Sequence, residues 1–237
     1  MNAVVARITY RALLGRRRVL LLAVLPLVLL GLAAAFRAGH GTHTDVLLAH
    51  FGIAALLPLV ALIVGTGVLG AELEDGTAVY LLATPISRQT VIVTKLVVAA
   101  LVTIAFTAIP EYLSGIIAFP GRSRLALSYA VGAAVGSVVY VAIFLALSVM
   151  TRRAMAVGLV YVLVWEGLLA SFVSGIGVLS VQQYSLSIAR ALSKAGDEVP
   201  ATVSIPVAIP LVVIVIGVAA WLATDRLSGY RIAGESA

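Results

Sequence analysis

Charge in this chain is confined to short segments that separate long apolar stretches. Only 16 of the 237 residues are Lys or Arg, and 10 are Asp or Glu. The apolar stretches each hold about 18 residues or more, the length of helix that crosses a hydrocarbon core of about 30 Å. There are six of them, at residues 19–36, 46–70, 90–110, 126–150, 154–175 and 203–223.

The composition excludes a water-soluble domain. Apolar residues make up 62% of the chain, against about 45–50% in soluble proteins. Because backbone polar groups must be paired inside lipid, only helices or closed barrels cross it, and continuous apolar runs favour helices over alternating strands. The sequence therefore predicts an all-α polytopic membrane protein whose six transmembrane helices form a single domain.

Basic residues are unevenly divided between the two sides of such an arrangement. One side carries only Arg37, Arg122, Arg124, Arg190 and Lys194, and the other carries the remaining Lys and Arg residues. Since cytoplasmic loops are enriched in Lys and Arg, the richer side and both termini are predicted to be cytoplasmic. This explains the basic balance without nucleic-acid binding. The preference for Arg over Lys suggests a GC-rich bacterial source, in which the cell membrane is the expected location.

The segment before the first span, residues 2–18, has the pattern of an amphipathic helix. Val5, Ile8 and Ala12 share one helical face, and Arg7 and Arg11 lie on another. Such a helix would rest on the inner membrane surface. The triplet that follows would meet lipid phosphates at the start of the first span, although a plain topology signal explains it equally well. The basic residues of this interfacial helix are Arg7, Arg11, Arg16, Arg17 and Arg18.

Residues 71–88, between the second and third spans, form the most polar stretch of the chain. Asp75 or Thr77 can cap a short helix, which Pro85 ends because proline disfavours helix at the residue before it. Ser87 can then cap the helix of the third span. A capped, rigid helix is more than a connector needs, so this cytoplasmic loop is predicted to dock a soluble partner.

Two acidic residues accompany the apolar stretches and mark a candidate gate or substrate path. Glu166, beside Trp165, lies within the fifth span, and Glu111 follows Pro110 at the outer end of the third. A charge buried in a span costs about 2–3 kcal/mol or more and normally has a partner. A gate, a substrate contact, a proton site and a neutral Glu hydrogen-bonded to a neighbouring helix all remain open for Glu166.

The two outer segments also carry expectations. Residues 112–120 are apolar again, so this region is expected to be a broken or re-entrant helix rather than an aqueous loop. Residues 176–202 form the longest outer segment, in which 182–194 can make a helix parallel to the membrane. His40 and His43 in the first outer loop have no evident third ligand apart from Asp45, so no metal site is predicted.

The chain carries no recognisable catalytic machinery. It has no cysteine, which excludes disulfides and thiolate metal sites. It also lacks the G-x-x-x-x-G-K-[ST] phosphate loop and the H-E-x-x-H pattern. No cofactor and no catalytic residue are therefore expected on this chain, and the energy source for any transport is expected on another protein.

The chain resembles the membrane subunit of ABC-2 type ABC transporters, which have the type V exporter fold. The resemblance covers essentially the whole length and is most specific between the second and third spans. There it rests on an acidic pair followed by Gly-Thr, a leucine pair, Pro-x-Ser-Arg and a Lys at the start of the third span. These are Glu72, Glu74, Asp75, Gly76, Thr77, Leu81, Leu82, Pro85, Ser87, Arg88 and Lys95.

The resemblance implies a permease that works with a separate ATPase. Two permease chains, identical or paralogous, would pair, each with an ABC ATPase subunit that binds ATP and Mg²⁺. The 71–88 loop would be the coupling helix, residues 2–18 the connecting helix, and Arg152 and Arg153 a second coupling contact. The substrate would be a lipid, drug, peptide or glycan-lipid. The competing hypotheses are a non-transporting scaffold or regulatory subunit that anchors a cytoplasmic partner, and a polytopic membrane enzyme.

Overall fold

The computed structural model describes residues 3–13, 15–39, 45–69, 87–169, 176–193 and 199–229. Every regular element within these ranges is a helix. In chain order they are α1 (Ala3–Leu13), α2 (Arg16–Ala38), π1 (Asp45–Leu56), α3 (Leu57–Gly67), α4 (Arg88–Ala118), α5 (Ser123–Met150), α6 (Ala154–Val160), π2 (Tyr161–Leu169), a 3₁₀ turn (Ile176–Leu179), α7 (Val181–Leu192) and α8 (Ile205–Gly229). π1 and π2 are π-helical, with i→i+5 bonding.

Five helices among the described residues are long and apolar enough to cross a membrane. They cover Arg18–Ala38, Leu47–Leu69, Arg88–Ala118, Ser123–Met150 and Ile205–Leu227. The predicted fifth span, 154–175, is helical as α6 and π2 up to Leu169, and its remaining residues lie outside the described ones. An all-helical, multi-pass membrane protein is thus confirmed, whereas the count of six stays a prediction.

The third span is longer than the apolar pattern predicts. α4 runs without interruption from Arg88 to Ala118 and contains Pro110, so the expectation of a broken or re-entrant helix after Glu111 is corrected. Proline is tolerated within membrane helices where neighbouring helices support the backbone. α4 has that support because it packs closely against both α2 and α5.

The core is built on close contacts between α5 and its neighbours, made possible by glycine. A Cβ atom on Gly65 of α3 would lie 2.7 Å from the Cβ of Phe144 in α5, and one on Gly115 of α4 would lie 2.5 Å from the Cβ of Ala126. Gly132 and Gly136 leave room for Ser185 of α7 in the same way. Small residues at helix contacts are the usual means of close packing in membranes.

The helix predicted in the outer segment is present as α7, and it packs on α5. α7 covers 181–192, close to the expected 182–194, and its buried face rests on the middle of α5 around Gly132 and Gly136. The outer segment thus extends into the bundle between the spans.

Two of the spanning helices are peripheral. Of the most apolar 18-residue stretch of each span, only 22% is buried in α2 and 11% in α8. The same share is 61–67% in the other three spans. Large apolar side chains such as Leu27 and Trp221 are accordingly exposed, as expected for surfaces that face lipid. α4 and α5 form the centre, and α2 and α8 form the outside.

Candidate functional site

A cavity of about 520 Å³ lies where π1, π2 and α7 meet. This volume falls in the range of about 300–1,000 Å³ that is typical of small-molecule sites. Most of its wall is small or aliphatic, from residues such as Ala54, Leu59 and Leu163. Its polar lining consists of His50, Glu166, Gln182, Gln183 and Thr202. The cavity thus offers an apolar wall with a limited polar patch.

Residues of both π-helical segments line this cavity, so the irregular helical backbone lies at the site. Single π-helical turns inside α-helices occur frequently at functional sites, and here π1 and π2 extend over 12 and 9 residues. For π1 the sequence supplies a reason, since Pro58 has no N–H for the carbonyl of Ala54 and so disfavours α-helical bonding in the turn before it. We find no corresponding proline in π2.

Glu166 is held in place by three donors at the edge of the cavity. Its Oε2 accepts a hydrogen bond from the Ser180 hydroxyl at 2.5 Å, and its Oε1 accepts from the Val181 N–H at 2.9 Å and the Tyr161 hydroxyl at 3.2 Å. Ser180 is the N-cap of α7, so the carboxylate lies at the positive end of that helix. Glu166 therefore braces α7 against π2.

The neighbouring side chains support the same brace. Trp165 donates from Nε1 to the carbonyl of Leu179 at 3.4 Å. Behind Glu166, the ring of Phe144 stacks on Tyr140 with centroids 5.9 Å apart and meets the edge of Tyr161 at 6.2 Å. Of the alternatives raised for Glu166, a hydrogen-bonded residue that joins two elements matches this geometry. A gate, a substrate contact or a proton site stays a prediction, since Glu166 also lines the cavity.

Side chains of α7 hold residues 201–203, beside the cavity, by hydrogen bonds. Gln183 accepts, through Oε1, hydrogen bonds from the N–H and the hydroxyl of Thr202 at 3.0 and 2.9 Å. Arg190 donates to the carbonyl of Ala201 at 2.9 Å, and Ser187 donates to that of Val203 at 2.7 Å. The segment before α8, residues 201–203, is thereby held along α7.

Glu111 does not belong to this cavity. It is only 1% exposed, and its carboxyl group occupies the space that a side chain on Gly52 of π1 would need. Within the described part of the chain, neither of its oxygens has a hydrogen-bond partner. The structure thus separates the three residues predicted for a gate or path, because Glu166 lines the cavity, Trp165 lies beside it and Glu111 lies elsewhere.

Most of the predicted coupling residues fall outside the described ranges. These are Glu72, Glu74, Asp75, Gly76, Thr77, Leu81 and Pro85. At the end of that segment, the Ser87 hydroxyl accepts from the N–H of Thr90 at 3.3 Å and caps α4 as the sequence predicts. Arg88 donates to the carbonyl of Leu227 at 3.2 Å, which joins the start of α4 to the end of α8.

Lys95 connects the other end of the same segment, a contact that the sequence did not single out. It is fully buried, and its Nζ donates to the carbonyl of Val68, just after α3, at 2.9 Å. The sequence marked Lys95 only as the lysine at the start of the third span in the family pattern, without a partner. As a result, the described residues on both sides of 70–86, Val68 and Ser87, are joined to α4.

The remaining predicted sites are at the surface. Arg152 and Arg153 are exposed in the turn between α5 and α6, where the N–H of Arg153 donates to the Thr151 hydroxyl at 3.2 Å. This turn lies at the same end of the bundle as Arg88, because α4 and α5 are consecutive antiparallel helices.

α1 is a helix from Ala3 to Leu13 with Arg7 and Arg11 exposed. Its buried residues are Val5, Thr9 and Leu13, which face the bundle. Ile8 and Ala12 of the predicted membrane-facing side are exposed. Arg18 donates to the carbonyl of Ala12 at 3.4 Å and links α1 to α2. The side chains of Arg16 and Arg17 lie outside the described set, and a position on the membrane surface stays a prediction.

Comparison with known protein families identifies the family of this chain. The family model described as "ABC-2 family transporter protein" matches residues 18–230, which is nearly the whole chain. A search of curated proteins finds no match. The chain therefore belongs to the ABC-2 family of transporter proteins.

Proposed function

We propose that this chain is the membrane permease subunit of an ATP-driven exporter that moves a hydrophobic or amphiphilic substrate, such as a lipid, a drug, a peptide or a glycan-lipid. Its family is one of membrane transport components. The proposed substrate class is supported by the cavity between π1, π2 and α7, which has an aliphatic wall and a small polar patch. Such a lining suits a molecule with an apolar body and a hydrogen-bonding group.

The energy would come from a separate ABC ATPase that binds ATP and Mg²⁺ and docks on the 71–88 loop. Support comes from the way the described ends of that loop are fixed. Lys95 joins the end of the second span to α4, and Arg88 joins α4 to α8. A force applied to the loop would therefore reach three spanning segments at once instead of being lost in one hinge.

The assembly would contain two permease chains and two ATPase subunits in the cell membrane of a bacterium, with both termini in the cytoplasm. Orientation is supported by the basic residues at the end of the bundle that holds Arg88, Arg152, Arg153 and Arg226, since basic residues favour the cytoplasmic side. The ATPase would sit at this end. No nucleic acid is part of the proposed function.

The test is reconstitution of the permease with its ATPase in proteoliposomes. The complex should hydrolyse ATP faster when a transported amphiphile is present, and the isolated permease should hydrolyse none. A partner that lacks an ATP site would favour a scaffold or regulatory subunit. Chemical turnover by the isolated chain would favour a membrane enzyme.

The role of the cavity needs its own variant pair. Leu163→Trp places a large side chain in the cavity wall, whereas Leu168→Trp adds the same bulk to a similarly exposed position of the same helix that does not line the cavity. We expect Leu163→Trp to raise the substrate concentration needed for half-maximal stimulation of hydrolysis at least tenfold, which corresponds to a loss of about 1.4 kcal/mol of binding. Equal activity of the two variants would remove the cavity from the substrate path.

A further inference from the structure

Glu111 is the one acidic side chain of the described spanning helices that is buried without a hydrogen-bond partner. Glu166, the other deeply buried acid, accepts three hydrogen bonds. Both oxygens of Glu111 are enclosed and unpartnered among the described residues. An ionised carboxylate in such a place is strongly unfavourable, whereas a neutral carboxylic acid is tolerated.

The site around Glu111 has a shape that fits the carboxyl group. Gly52 of π1 faces it, and any side chain at that position would overlap the carboxyl atoms. π1 can therefore approach α4 this closely only because residue 52 is glycine. The contact leaves no space for a large ligand or a hydrated ion, which limits the candidate ligands to a proton.

Among the described residues, no charged or titratable side chain hydrogen-bonds to Glu111. On α2, Arg37 donates to the carbonyl of Ile117, and on α5, Arg124 donates to that of Leu192. His50 of π1 lines the cavity, and Lys95 contacts Val68. The remaining such groups with described side chains on the elements in contact with α4 are Arg7, Tyr10 and Arg11 of α1, Arg18 of α2, Arg122, Tyr129 and Tyr140 at or in α5, Asp225 and Arg226 of α8, and Arg88 and Tyr112 of α4 itself.

We propose that Glu111 is a proton-binding site, and that the packing of π1 on α4 holds its carboxyl group in the neutral form. Loss of the proton then requires π1 and α4 to separate. Glu111 is seven residues before the end of α4, about 10 Å along the helix, so proton exchange would take place from the end of the bundle that carries Arg37 and Arg122. This proposal does not depend on the transport function.

Infrared spectroscopy of the purified chain in lipid nanodiscs tests the protonation directly. At neutral pH the wild-type protein should show the carbonyl stretching band of a buried, protonated carboxylic acid. Glu111→Gln should abolish this band, and Glu166→Gln should leave it in place. Absence of the band from the wild-type spectrum, or its persistence in Glu111→Gln, would overturn the proposal.

A second measurement tests the link to packing. Gly52→Ala should weaken or shift the band although Glu111 is still present, because the new side chain displaces the carboxyl group. Gly217→Ala is the control, since nothing lies near a Cβ at that position of α8. An unaltered band in Gly52→Ala would show that the π1 contact does not hold the proton, and would overturn the proposal.

The pH dependence of stability gives a third readout with a defined sign. The folded chain would hold a proton that the unfolded chain releases, so the folded state should lose stability as the pH rises. The unfolding temperature of the wild type should fall by several degrees more than that of Glu111→Gln between neutral and alkaline pH. Equal slopes for the two proteins would contradict the proposal, and if Glu111→Gln folds poorly, the wild-type and Gly52→Ala spectra decide.

Discussion

The ammonium group of Lys95 donates a hydrogen bond to the carbonyl of Val68 across 2.9 Å, in a part of the bundle that solvent does not reach. The first turn after α3 has carbonyls without helical donors, and Lys95 satisfies one of them. A cation is also favoured at the C-terminal end of a helix. One side chain thus joins the second and third spans next to the proposed coupling loop.

Lys95→Met should keep the shape of this side chain and remove the bond. The Val68 carbonyl would be left buried without this donor, which typically costs about 1–3 kcal/mol. We expect a lower unfolding temperature and, in the complex with the ATPase, a larger loss of transport than of ATP hydrolysis. Gln89→Met, at an exposed position of the same helix, is the control. Transport and hydrolysis that fall in parallel would argue against a role for Lys95 in coupling.

Glu166→Gln should fold but loosen the outer segment. An amide offers one acceptor oxygen and two N–H donors, so it cannot accept from both Ser180 and Val181 as the carboxylate does. Hydrogen exchange should accelerate in residues 176–192, with destabilisation of about 1–3 kcal/mol, and transport should change with it. Ser180→Ala, which removes one donor and the N-cap, should cost about 1 kcal/mol. Unchanged exchange in Glu166→Gln would show that the brace is not needed.

Gly132→Leu should prevent α7 from packing on α5. A Cβ at this position would meet the backbone of Ser185, and backbone yields less easily than the end of a side chain. Overpacking of this kind costs about 1–3 kcal/mol or more. Gly217→Leu serves as the matched control, because that glycine has open space around it. Similar unfolding temperatures for both variants would place α7 away from α5.

Gly76→Pro and Glu74→Ala should separate ATP hydrolysis from transport. Both positions belong to the predicted coupling loop, outside the described residues, and a coupling element must be rigid to transmit motion. Membrane insertion should be normal, ATP hydrolysis should continue, and transport should be lost. Normal transport by Gly76→Pro would count against the assignment of this loop.

The apolar stretches predicted the spanning helices well, because segment length and hydropathy are what the bilayer selects. The limits of α5 and α8 differ from the predicted spans by a few residues. The limit of α4 was placed too early because Pro110 and Glu111 together resemble the end of an apolar segment. Their tolerance inside a helix depends on neighbours, which a sequence pattern does not contain.

The site was predictable only in part. Glu166 was recognisable as an acid within an apolar stretch, but its partners Ser180 and Val181 come from a different segment and depend on how α7 packs. The π-helical backbone that lines the cavity has no periodicity of its own in the sequence. Lys95 was visible as part of the family resemblance, yet the carbonyl that it contacts could be identified only in three dimensions.

The sparse burial of α2 and α8 affects how the solubilised protein should behave. Detergent will replace lipid mainly around these two helices, whose contribution to the interior is small. Resistance to heat in a micelle will therefore report chiefly on the contacts between α4 and α5.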